Sequence, residues 1–318
     1  MQDHTTAAAN AEAPFRYQFV AMTTHCELQF YGVDKSAAQT LAQAIQTRVQ
    51  QLELRYNFHA AGSWLNTTVN NRRSPRVALC AEAAAVLAVV AQHGHATGGA
   101  FDITVGTLAA QLRLAKTPAD VKAVRKRLEA YTGCARWWLE GQTLCFDNAH
   151  TRLDLGGVIK EHAVDVAAQM ARDAGVPAGL VNFGGDLVAF GNKPGDKPGT
   201  RFVAAVPNPL APGQRLFALD LQDQALTTSA HYARSRSLKN GARHMTLSHV
   251  VGVDPTDAHW LSASVVSRSA LLSGIYSTAL LVRTDVTLPP DVMAVVVDPA
   301  GQVSTLQGAI NELCCEVA

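Results

Sequence analysis

An excess of charge of either sign, long apolar runs and paired cysteines are all missing from this 318-residue sequence, and each absence removes a class of function. Lys and Arg number 27 against 26 Asp and Glu, a net charge of +1, and the basic residues are scattered. Nucleic acid, which rewards a concentrated basic face, is therefore not expected as a partner. No apolar stretch is long and unbroken enough for the roughly 20 residues a bilayer-spanning helix needs, so no membrane role is expected. Six cysteines (Cys26, Cys80, Cys134, Cys145, Cys314 and Cys315) show neither metal-centre spacing nor a compact disulfide framework. The adjacent Cys314-Cys315 read as free thiols of a reducing compartment. Met1 to Phe15 are polar and alanine-rich, with no basic n-region and no apolar h-region. Residues 1–16 thus read as a disordered tail, and the expected location is cytoplasmic.

What remains is an ordinary apolar fraction of 48% with a somewhat low charged fraction of 17%. The length allows one large domain or two small ones, and nothing resembling a linker divides it, so one domain is expected over 17–318.

The most informative stretch runs from Leu153 to Asp186. It reads as a strand–turn–helix–strand–turn unit. Gly156-Gly157 permit a tight turn whose backbone can approach a ligand. The next helix has apolar residues at Ala163, Val166, Ala167, Met170 and Ala174, a spacing that buries one face. Lys160, Glu161 and Asp165 occupy its first turn and opposite face. Gly175-Val176-Pro177 should stop it. A short strand from Gly179 to Phe183 then ends in Gly184-Gly185-Asp186. Glycine turns beside a helix start suit a phosphate-bearing ligand, because free N–H groups and the helix dipole favour anions there. Two ordinary tight turns are the plainer reading of the same residues.

Elsewhere, residues 17 to 32 read as one strand, and Ser36 as the cap of a helix to about Leu54 with Leu41, Ile45, Val49 and Leu52 buried. A very apolar helix spans 81–92, and His93-Gly94-His95 with Thr97-Gly98-Gly99 should end it as a solvated, glycine-rich turn. Asp120 to Ala130 suits an amphipathic helix, and Trp137 to Phe146 a hairpin around Glu140-Gly141. Strands are expected near 201–206, 216–221, 245–253, 262–267 and 293–297, with a helix near 269–281. Strands and helices mix without strict βαβ alternation, which favours α+β.

In order, Ala21-Met22-Thr23-Thr24, Thr97 to Gly106, the Leu153–Asp186 unit, Thr227-Thr228-Ser229, Leu247-Ser248-His249-Val250 and Ser277-Thr278-Ala279-Leu280 resemble one family. That family is the FAD:protein FMN transferases of the ApbE type, and the resemblance covers residues 17 to 300. It implies a single compact α+β domain with largely antiparallel sheets. It also implies an activity: cleaving FAD with magnesium and joining the FMN half to a Ser or Thr of a target protein, with release of AMP.

The resemblance assigns roles residue by residue. Gly184, Gly185, Asp186, Thr228 and Ser229 match phosphate-cradle elements, although Ala230 stands where the family has glycine. Nucleotide contacts carry over onto Met22, Tyr56, Ala100, Phe101, Asp102, Lys160, Asp165 and Val250. Taken singly, Met22 and Phe101 read as core residues and Asp102 as an N-cap. The metal ligands carry over onto the Ala163 carbonyl and Thr278, with Ser277 beside it, while the family's Asp is replaced by Gly274. A substitute carboxylate is conceivable: Glu161 stands where the family has glycine and Asp165 lies one turn further along the same face, although both sit near a helix N-terminus, where the dipole favours carboxylates whatever their function. His249 matches the residue that activates the acceptor hydroxyl, with Asp254-Pro255 two residues later than the family places that pair. A second reading keeps the fold but not the turnover: a nucleotide-binding protein whose metal site is too weak without a carboxylate at 274.

Overall fold

The computed structural model describes residues 13–194, 200–211, 213–231, 235–240, 243–248, 259–307 and 314–315. The chain opens in a hairpin of β1 (Phe15–Ala21) and β2 (Thr24–Tyr31), closed by a two-residue turn at Met22-Thr23. The single strand expected over 17–32 is thus two, and strand begins already at Phe15, inside the expected tail. Helix α1 (Lys35–Tyr56) follows; its cap is Asp34, whose Oδ1 accepts the N–H groups of Ser36 at 2.8 Å and Ala37 at 3.1 Å. Ile45, Val49 and Leu52 lie on its buried face as expected, together with Ala38, Ala42 and Tyr56.

A small layer comes next: β3 (Arg76–Ala78), α2 (Ala81–Ala96), α3 (Gly106–Leu112) and α4 (Pro118–Leu128) lead to the hairpin of β4 (Trp137–Glu140) and β5 (Thr143–Phe146). Helix α2 runs on through His93 and His95, because Thr97 and not the Gly98-Gly99 pair closes its last turn. Helix α4 starts at Pro118 behind a Thr117–Asp120 capping box. Then come α5 (Ile159–Asp173), β6 (Ala178–Phe183), β7 (Asp186–Phe190), β8 (Phe202–Pro207), β9 (Arg215–Leu221) and β10 (Gln224–Ala230). The last elements are β11 (Ser235–Asn240), β12 (Arg243–Ser248), β13 (Ser262–Ser267), α6 (Ala270–Val282), β14 (Met293–Val297), β15 (Val303–Gln307) and β16 (Cys314–Cys315).

Among the described residues the main sheet has eight strands in the order β1-β2-β6-β7-β10-β13-β14-β15, every neighbouring pair antiparallel. Helices α1, α5 and α6 cover one face, and the β8-β9-β16 sheet covers the other. Strand β7 shows the logic: Val188 and Phe190 enter the helix-side core, Leu187 and Ala189 the opposite one. Alternate side chains of a strand point to opposite faces, so a strand covered on both sides is apolar throughout. Asp186, in step with Val188, falls on the helix side. The fold is α+β. No helix among the described residues is long and apolar enough to cross a membrane.

Helix α5 ends as its glycine predicts. Gly175, at φ +79°, donates to the Arg172 carbonyl, and Val176 N–H reaches back to Ala171 at 3.1 Å. Its buried set is wider than one stripe (Ile159, Glu161, Ala163, Val164, Ala167, Ala168 and Ala171), because α1, α6 and the sheet all press on it. Val166 and Met170 are only half-buried and Ala174 is exposed. Leu153 to Leu155, expected as a strand, form none.

Candidate functional site

Gly184 and Gly185 form the two-residue loop between the paired residues Phe183 and Asp186, at φ +65° and +99°. Positive φ at both central positions is the turn geometry that matches the twist of a tight hairpin, and glycine adopts it without strain. A side chain on Gly184 would run into Thr24, and its N–H donates to the His25 carbonyl at 2.9 Å. The turn is therefore packed against the tip of the β1–β2 hairpin. There Met22 (φ +50°) and Thr23 (φ +59°) take left-handed conformations without glycine. For a β-branched threonine that is an outlier. Gly156-Gly157 behave differently. Neither has a positive φ, and the turn is an Asx-type one in which Gly156 N–H donates to Asp154 Oδ1 at 2.9 Å.

Behind the first turn lie the charges. The Lys160 ammonium, from the first turn of α5, pairs with Asp186 and sits 3.6 Å from Glu161 Oε1. Asp186 is 2% exposed. Burial pushes its carboxyl up to about 7, with Lys160 pulling it down and the neighbouring Glu161 carboxylate pushing it further up. Glu161 is 5% exposed, and its Oε2 is buried with no hydrogen-bond partner among the described residues. One turn on, Asp165 accepts Ser269 Oγ at 2.7 Å, Ala270 N–H at 2.7 Å and Leu271 N–H at 3.0 Å. Its oxygens thus serve a hydroxyl and two of the N–H groups that open α6.

Hydroxyls gather beside Gly274. Ser229, on the helix face of β10, lies 2.8 Å from Ser277 Oγ and 3.2 Å from Thr278 Oγ1 of α6. Ser277 also donates to the Gly274 carbonyl at 3.1 Å. Thr228, one residue earlier, turns away, its hydroxyl 2.9 Å from that of Ser264 on β13. Strand alternation therefore separates the expected Thr228-Ser229 cradle: Ser229 joins the cluster and Thr228 does not. Thr227-Thr228-Ser229 belong to a strand, β10, that the polar sequence does not announce.

The other expected residues have local partners of their own. Phe101 and Ala100 are core residues, and the Phe101 ring borders Gly157 just before α5. Asp102 is the N-cap of a short 3-10 turn, accepting from Thr104 N–H at 2.8 Å and Gly133 N–H at 3.0 Å, and burial pushes its carboxyl above the ordinary range. Tyr56, at the end of α1, meets Trp64 edge to face, with Arg55 stacked over Trp64. Ala163 is fully buried within α5. His93 Nδ1 lies 3.2 Å from the Tyr276 hydroxyl, so it is not a solvated turn residue. His249 and Val250, with Asp254-Pro255, lie outside the described residues. Among the described residues no group of three or more His, Cys, Asp or Glu gathers as a metal centre. The oxygens of Glu161, Ser229, Ser277 and Thr278 are nonetheless the hard donors magnesium takes, and the orphaned Glu161 oxygen is the one such a cation would satisfy.

The sequence profile of the ApbE family matches residues 22–288, a span containing this whole cluster. The chain belongs to the ApbE family. Two FAD:protein FMN transferases are similar to it: one from Vibrio cholerae, 25% identical over 241 residues (74% of this chain, 69% of the relative), and one from Klebsiella pneumoniae, 25% identical over 281 residues (84% and 81%). Among solved structures, the ApbE protein of Thermotoga maritima superposes with a TM-score of 0.77, covering 92% of this chain and 96% of that one at 20% identity. The flavin transferase ApbE of Vibrio cholerae gives 0.72 with the same coverage and identity. At that identity the likeness speaks for the fold.

Two features of the family site were not legible in the residues alone. One is Asp165 as the clamp on α6. The other is the Glu161 carboxylate filling the space in front of Gly274, where a Cβ would come within 2.7 Å of Glu161 Cγ. The only signal for the second was that both positions depart from the family pattern together.

Proposed function

We infer that this chain is a FAD:protein FMN transferase. In that reaction a Ser or Thr hydroxyl of a target protein attacks the FMN-side phosphorus of FAD. The new phosphoester oxygen–phosphorus bond forms as the pyrophosphate bridge breaks, the hydroxyl proton passes to a base, and AMP leaves. Family membership and the activity of the two relatives support this reading. The observation that carries it is the link Glu161 makes between two groups: it sits beside the Lys160–Asp186 pair and packs against Gly274 of α6, one turn before the Ser277 and Thr278 hydroxyls that meet Ser229.

Phosphoryl transfer depends on positioning and charge neutralisation more than on covalent chemistry. Lys160 offers a fixed cation for a phosphate, held in place by Asp186. The exposed turn Gly184-Gly185 and the strained tip Met22-Thr23 form a rim close to the backbone. Ser229, Ser277 and Thr278 offer hydroxyls to phosphate or metal. Magnesium, held by these hydroxyls with the Glu161 carboxylate, would supply neutralisation of the pyrophosphate. His249 is the proposed base for the acceptor, since a neutral imidazole suits that work. The binding-protein alternative rested on a missing carboxylate, and the Glu161 side chain packed against Gly274 supports the transferase reading over it. The free thiols of Cys26, Cys80, Cys134 and Cys145 fit a reducing compartment, and we place the reaction in the cytoplasm.

The test is incubation with FAD and a divalent metal, followed by chromatography for AMP and FMN. Water can replace an unidentified acceptor, so metal-dependent AMP release is expected without one. FAD that binds but stays intact across several divalent metals would overturn the reading.

A further inference from the structure

We propose that Glu161 is the carboxylate through which this chain holds a divalent cation, delivered from α5 into the space that α6 leaves open at Gly274. The proposal rests on the transferase reading for the purpose of the cation, but its own evidence is geometric.

Space comes first. A Cβ built on Gly274 would lie 2.7 Å from Glu161 Cγ and 3.3 Å from Cδ. Contacts under 3 Å at a Cβ force something to move, so any larger residue at 274 would push the Glu161 side chain from its seat. The inward pose of Glu161 therefore depends on the glycine, and the glycine leaves a gap that the glutamate fills.

Charge comes second. Glu161 and Asp186 are both buried carboxylates, each facing the single ammonium of Lys160. Lys160 is bonded to Asp186 and lies 3.6 Å from Glu161 Oε1. Glu161 Oε2 has no donor among the described residues. A buried anionic oxygen without a partner is among the most costly arrangements in a protein, and burial on this scale is tolerated when a cation completes it.

Ligand chemistry comes third. Ser277 and Thr278 sit one turn along α6 from Gly274, with Ser229 2.8 and 3.2 Å from their hydroxyls. Carboxylate plus hydroxyl oxygens beside a phosphate is a magnesium-type donor set, with no soft or imidazole ligand in it. The carboxylate enters this set from the opposite helix, at the place where a side chain on α6 would otherwise project.

The experiment uses Mn2+ as probe, with free Mn2+ followed by electron paramagnetic resonance, alone and with FAD present. Four proteins are compared: wild type, Glu161→Gln, Gly274→Asp and the swap Glu161→Gly/Gly274→Asp. Glu161→Gln should weaken Mn2+ binding on the order of 10–100-fold or more, at least as much as losing a partner that only orients a ligand. Gly274→Asp alone should not tighten it, because the new side chain collides with Glu161. The swap, which returns the carboxylate to α6 and clears its path, should recover most of the loss. Mn2+ binding by folded Glu161→Gln equal to wild type overturns the proposal. No Mn2+ binding by wild type overturns it too. If Glu161→Gln does not fold, the swap compared with Glu161→Gly alone decides. FAD binding without metal, read by flavin fluorescence, is a separate measurement. Its absence counts against the transferase reading and leaves the Mn2+ comparison standing.

Discussion

Helices α5 and α6 cross at the site and contribute opposite kinds of chemistry. The first turns of α5 carry Lys160, Glu161 and Asp165, all turned inward. Helix α6 is apolar from Ala270 to Val282 apart from Ser273, Tyr276, Ser277 and Thr278, and carries no charged residue. One helix brings charge and the other brings hydroxyls. Asp165 joins them: its three bonds fix where α6 starts, and so where Ser277 and Thr278 stand relative to Glu161. The difference teaches that two packed helices can divide charge and hydroxyls between them, one supplying each.

Removing the joint should have the largest effect. Asp165→Ala strips a carboxylate from three donors and leaves buried N–H groups unpaired, so we expect a loss of about 2–4 kcal/mol in urea unfolding. The response to magnesium should fall with it, and an unchanged urea midpoint would show that α6 is positioned by packing alone. Next, Lys160→Ala tests the charged helix directly. FAD affinity should drop by roughly 1.5–3 kcal/mol if the ammonium makes a charged hydrogen bond to phosphate, measurable by titration calorimetry. Gly274→Asp tests whether α6 can accept a charge of its own. Overpacking against Glu161 should cost about 1–3 kcal/mol, relieved when Glu161→Gly is added. A single variant as stable as wild type would mean that the two side chains do not compete for space.

The smallest expected effect concerns how α5 is moored on its other side. Glu82 of α2 pairs with Arg48 of α1 and lies 3.2 Å from His162 Nε2. Burial pushes the Glu82 carboxyl up, but the bonds from Arg48 and His162 together outweigh it and hold it below the ordinary range. A depressed carboxyl stabilises the fold above its unfolded value and loses that contribution as pH falls through the folded one. Glu82→Gln should therefore lower the melting temperature near neutral pH and converge with wild type in acid. A difference that persists in strong acid would assign the effect to packing.

Local signals were legible in the sequence, and contacts between distant segments were not. The strands 262–267 and 293–297 and the β4–β5 hairpin lie where alternation and turn residues place them. Helix α5 and its glycine stop were equally plain. The Met22-Thr23 turn was missed because neither residue advertises a left-handed conformation. Strand β10 was missed because its polar Thr227-Thr228-Ser229 end is satisfied by the Ala270 carbonyl and Ser277 hydroxyl of α6 and the Ser264 hydroxyl of β13, which sequence cannot show. The role of Asp165 was hidden for the same reason: its partners at 269–271 lie far along the chain. On α5, the single-stripe expectation failed because three neighbours surround the helix.

The antiparallel pairing of β2 with β6 also dictates the order in which the protein can assemble. Cys26 is registered against Phe183 and Tyr31 against Ala178, so the first hairpin waits for more than half the chain before its inner edge is covered. Pairings so distant in sequence close slowly, because the intervening segment loses its freedom before any contact rewards it. Until then Leu28 and Phe30 stand on an open strand edge, the kind of surface that recruits other chains. During synthesis on the ribosome the vulnerable interval runs from the emergence of β2 to that of β6, and a slower ribosome lengthens it.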